Sequence, residues 1–79
     1  SSAASDVYKR QDYNSFVLEG IKIIFADNNK EFIKEICEPL INILCIEEYY
    51  SATGIYNYDD AYEQTELLKN ALRDYKMAH

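Results

Sequence analysis

The strongest constraint on this chain is a double apolar row between residues 32 and 45. Phe32, Ile36, Leu40 and Leu44 recur every four residues, and Ile33, Cys37, Ile41 and Cys45 recur beside them. Side chains four apart lie on one side of an α-helix, so the two rows form one broad apolar face that something else must cover. Pro39 interrupts this stretch. It removes a backbone donor and crowds the carbonyl of Glu35, so the helix either kinks there or restarts with Pro39 in its first turn. The rows stay in phase on both sides, which favours a kink.

Upstream, residues 21–26 read IKIIFA, with Gly20 before them and Asp27, Asn28 and Asn29 after. A short Ile-rich run bounded in this way suits a strand buried on both faces of a parallel sheet. Asn28 with Glu31 has the form of a capping box for the helix that follows. Residues 48–58 are rich in Tyr, Thr and Ile and predict a second strand, with Gly54 as a bulge or a place of close backbone approach. Residues 59–76 predict a second helix. Asp60 and Glu63 form another capping box, and Ala61, Leu68, Leu72 and Tyr75 share a face. Glu63 and Glu66 precede Lys69, Arg73 and Lys76, the order the helix dipole prefers. The resulting βαβα order predicts an α/β fold with parallel strands and crossover helices.

With 79 residues the chain is one small domain whose core is only marginally sufficient. Its net charge of −6 repels phosphate backbones, which argues against direct nucleic-acid binding. Base stacking on Tyr49, Tyr50, Tyr56, Tyr58 and Tyr62 is disfavoured for the same reason, and these rings are expected to pack along the second strand. The acidic group of Glu47, Glu48, Asp59, Asp60 and Glu63 reads as helix-end solvation or a cation site. No apolar run is long enough to span a membrane. The only histidine is His79, which removes any Cys/His zinc spacing and any Ser/His or Cys/His nucleophile pair. Cys37 and Cys45 stand about 12 Å apart along one helix, beyond the reach of a disulfide. They read as small core residues in a reducing, cytoplasmic setting.

Residues 1–11, SSAASDVYKRQ, carry no apolar period and predict a disordered tail. The stretch resembles the translated adapter of a transposase-based sequencing library, and is therefore expected to be non-native and outside the fold. Residues 12–20 are then a leader or upstream segment, and residues 21–79 the folded part.

The stretch IKIIFADNNKEFIKEICEPL resembles the start of a response-regulator receiver domain, where a strand ends in an acidic pair and leads into the first helix. Its ADNNKEF wording is closest to the sporulation-regulator type. TGIYNYDDAYEQTELLKN is similar to that family's second strand and second helix, with Asn57, Asp59, Asp60 and Ala61 at the turn. The resemblance implies a truncated flavodoxin-like receiver fragment from a cytoplasmic two-component phosphorelay. In the intact parent, a histidine kinase or phosphotransfer protein donates a phosphoryl group and the receiver controls transcription. It also implies Mg²⁺ in that parent, held at the positions of Asp27 and Asn28, because phosphoryl transfer needs charge neutralisation by hard oxygen ligands. Asn28 stands where a second acid is usual, so the pocket is incomplete and its affinity for Mg²⁺ reduced. The phosphoacceptor aspartate would follow His79, so this chain is expected to hold no phosphoacceptor and no enzymatic activity. Read from the residues alone, the same Asp-Asn-Asn turn is more simply a cap for the helix that follows. The alternative reading is a self-contained, helix-rich protein-interaction domain whose 32–45 stripe packs on the last helix or on a partner.

Overall fold

The computed structural model describes the backbone of residues 2–27 and 30–78, and the side chains of residues 14–27 and 30–78. Three helices follow one another: α1 (Ser2–Ala26), α2 (Lys30–Thr53) and α3 (Tyr58–Ala78). The described residues contain no strand. The expected α/β fold, a flavodoxin-like βαβα fragment with parallel strands, is thus replaced by an all-α arrangement of three helices. Helix α1 runs from Ser2 through both expected boundaries, at residues 11 and 20, without a break.

The first expected strand lies wholly in a helix, and the second is divided between α2, a short connection and the first residue of α3. A six-residue apolar run has too few positions to separate a period of 2 from a period of 3.6, so its neighbours decide. Residues 21–26 close α1, and the partly buried Val17, Ile21 and Ile24 join buried Gly20 at spacings of three and four. That helical period begins upstream of the Ile-rich run and passes through a glycine, where it carries no hydropathy signal. Residues 48–53 close α2, and only residues 54–57 remain as the connection to α3. Gly54 ends α2 with a φ of 75°, and its N–H donates to the Tyr50 carbonyl at 2.8 Å. This is the left-handed helix cap that glycine adopts without a Cβ penalty, in place of the expected strand bulge.

Helix α2 continues through Pro39 as one element and does not restart there. The Glu35 carbonyl loses its helical donor there, and Glu35 and Pro39 both line an open groove between α2 and α3. The buried row of α2 is Ile36, Pro39, Leu40, Ile43 and Ile46. It meets Ala61, Leu68, Ala71 and Leu72 of α3, three of the four expected residues of that face with Ala71 added. Ile36, Ile43 and Leu68 are the largest fully enclosed side chains.

Helix α3 starts at Tyr58, two residues before its expected cap, Asp60. The Asn57 carbonyl accepts the first helical bond from the Ala61 N–H at 2.9 Å, so Asp59 and Asp60 fall inside the first turn. There they face the positive end of the helix dipole. Helix α1 closes the arrangement through Gly20. A Cβ at this position would lie 3.1 Å from Ile36 Cγ2 and 3.3 Å from Leu40 Cδ1, closer than ordinary packing allows. The missing side chain lets α1 settle onto α2 and α3, with Phe16, Val17, Ile21, Ile23 and Ile24 packed around it.

Candidate functional site

Asp27 lies just beyond α1, its N–H donating to the Ile23 carbonyl at 3.0 Å. No sheet edge presents it, so the expected position at the carboxyl end of a strand is corrected to a helix-to-helix turn. Its carboxylate accepts a hydrogen bond from the Tyr75 hydroxyl at 2.8 Å. The Tyr75 ring meets Phe32 edge-on, with centroids 5.7 Å apart. The three side chains thus join the end of α1, the start of α2 and the end of α3. Hydrogen bonding to Asp27 raises the Tyr75 pKa above its ordinary value near 10, and partial burial and the carboxylate's charge push the same way. The phenol is held neutral, as a donor.

Asn28, the other expected Mg²⁺ ligand, lies outside the described residues. Among the described residues no three His, Cys, Asp or Glu side chains gather where a metal ion could sit. Asp59 and Asp60 cannot complete a site around Asp27. Asp27 is tied to Tyr75, and residues 59 and 75 are separated by about 24 Å along α3.

The opposite end of the molecule is aromatic. Tyr50 and Tyr56 pack edge-on at 5.4 Å, Tyr56 and Tyr58 lie tilted at 4.6 Å, and Tyr56 also packs on the core. These rings clasp the α2–α3 turn where a tyrosine-covered strand was expected. Tyr49 and Tyr62 stay exposed.

Two open grooves flank α3. The groove against α2 has a volume of about 340 Å³, and Glu35, Glu38 and Asp74 stand around a floor of Pro39, Leu67 and Ala71. An Asn42–Gln64 hydrogen bond of 3.0 Å crosses between the two helices. The groove against α1, about 410 Å³, is edged by Lys69, Arg73 and Lys76. Lys76 pairs with Glu19, Lys69 pairs with Glu66 at 3.3 Å, and Lys69 stands 5.4 Å over the Phe16 ring. These charges join α1 to α3, a use that their expected role along one helix does not capture. Both grooves are shallow, and neither encloses a nucleophile with a base.

The double row on α2 is divided by the fold. Ile36 and Leu40 are buried, while Ile41 is 55 % and Leu44 50 % exposed. Cys45 is exposed and Cys37 half-buried, both as free thiols. In the row of Ile33, Cys37, Ile41 and Cys45 the first two are half-buried, while Ile41 and Cys45 stand exposed on a flank that none of the described residues covers, and the expectation that both cysteines are core residues fails for Cys45. Hydropathy marked these residues correctly as apolar, but it carries no information on which of two adjacent rows finds a partner. Tyr75 as the partner of Asp27 was missed altogether, because the two lie 48 residues apart and neither carries a local signal of the other.

No described helix is long and apolar enough to cross a membrane. No protein-family model, curated protein or solved structure matches this chain.

Proposed function

We propose that this chain is a small helical protein-interaction module that works by presenting a surface and carries out no reaction. The observation that supports the reading is the uncovered flank of α2, where Ile41 and Leu44 keep about half their surface in water beside a fully buried row. Leaving large aliphatic side chains in solvent costs about 25 cal/mol per Å² of apolar surface, a cost that a partner removes. The reading sets aside a histidine-kinase partner and a Mg²⁺-dependent switch, because both rested on a strand that would present Asp27 and Asn28. It keeps the cytoplasmic setting, in which two free thiols remain reduced.

Site-specific photo-crosslinking tests the reading. A crosslinker at position 41 should give a discrete protein adduct, whereas the same group at the exposed Glu63 on α3 should not. Equal yields at the two positions would remove the assignment. A separate incubation with acetyl phosphate and Mg²⁺ should leave the mass of the chain unchanged, and a stable aspartyl phosphate would return the receiver reading.

A further inference from the structure

The free flank of α2 has a symmetry of its own. Counting outward from Ile41, the thiols of Cys37 and Cys45 stand four residues away on either side, and Lys34 and Glu48 stand seven away. All lie toward the same side of the helix, and Lys34, Ile41, Cys45 and Glu48 are exposed. If a second α2 is laid antiparallel with the two Ile41 side chains in contact, each residue meets the one equally far on the other side. Cys37 then faces Cys45 of the second copy, and each Lys34 faces a Glu48, twice over by the two-fold axis. On this face the ionic pairing is thus between opposite charges, while Glu38 meets Leu44, and Glu35 and Glu47, six residues out, lie to the side of the face. In a parallel pairing Lys34 would meet Lys34 and Glu48 would meet Glu48.

We infer that the occupant of this flank is a second copy of the same chain, docked antiparallel through α2 about a two-fold axis at Ile41. The inference rests on the interaction-module reading and names its partner. Apolar contact of the two Ile41 side chains with each other and with the flanking Cys37 and Cys45 supplies the drive, and the paired Lys34–Glu48 contacts set direction and register. The net charge of −6 on each copy opposes association, so the dimer is weak and depends on concentration.

Sedimentation equilibrium of the full chain over a wide concentration range should show a monomer–dimer equilibrium. Ile41→Lys should leave the chain monomeric at every concentration with its helical circular dichroism intact. Lys34→Glu and Glu48→Lys should each weaken the dimer, and the double variant should restore it. That rescue cannot arise within one chain, since residues 34 and 48 are about 21 Å apart along α2. Mild copper–phenanthroline oxidation should trap a disulfide dimer whose mapped bridge joins Cys37 to Cys45, a link the two thiols of one helix cannot form. A chain monomeric throughout, a dimer indifferent to Ile41→Lys, a double variant no better than the singles, or bridges joining like cysteines would each overturn the inference. If position 41 crosslinks to a different protein, only the second-copy inference falls; if it crosslinks to nothing, the interaction reading falls with it.

Discussion

The two sides of α2 carry nearly the same residue types and meet opposite fates. Ile36 and Ile43 are enclosed, at 0 % and 1 % exposure, while Ile41 and Leu44 on the neighbouring side are about half exposed. Helix propensity and hydropathy are alike on both sides, so what separates them is the position of α3 and α1. The comparison teaches that an apolar stripe broader than one neighbour can cover records two surfaces, one for folding and one left over.

The most severe test of that difference is to shorten an isoleucine on each side. Ile43→Ala should cost about 2–5 kcal/mol by lost transfer energy and a residual cavity, and Ile41→Ala about 0.5 kcal/mol or less in the monomer. Urea denaturation of the two variants at low protein concentration measures both, and equal losses would erase the distinction. Gly20→Leu comes next, at about 1–3 kcal/mol, since its side chain would have to enter the space occupied by Ile36 and Leu40. A thermal melt of that variant beside Gly20→Ala separates overpacking from the glycine's own helix cost. Gly54→Ala should lose about 1 kcal/mol through left-handed backbone strain, even though nothing lies within 4 Å of the added methyl. The smallest effect is a pH dependence. Because Tyr75 titrates higher in the fold than in the unfolded chain, its contribution is whole below pH 10 and is lost as pH rises through the raised value. Stability profiles from pH 8 to 11 should therefore fall more steeply for the native chain than for Tyr75→Phe, and superimposable profiles would mean that the Asp27 bond contributes nothing.

What the sequence disclosed follows the reach of each signal. Helix α3 was readable in type, extent and core face because Ala61, Leu68 and Leu72 recur over many turns between an acidic start and a basic end. Helix α2 was readable as a helix but not in which row would be buried, since that depends on contacts with residues in α3. The end of α1 was misread because Gly20, its closest point of approach, is silent in hydropathy, and the Ile-rich run after it is too short to show a period. At the candidate site, Asp27 drew notice as a polar turn residue, yet its bond to Tyr75 is a tertiary fact with no local precursor.

The same glycine has a consequence for the order of disassembly. The enclosed residues Ile36, Leu40, Ile43, Leu68, Ala71 and Leu72 all belong to α2 and α3, and α1 contributes a bare backbone contact ringed by half-covered side chains. The second and third helices are a hairpin with its own interior, onto which the first is latched at Gly20, by Lys76 on Glu19 and by Tyr75 on Asp27. In native-state hydrogen exchange, the amides of α1 up to Ala26 should accordingly open at lower free energy than those of the middle of α2. The latch can swing while the hairpin stays shut.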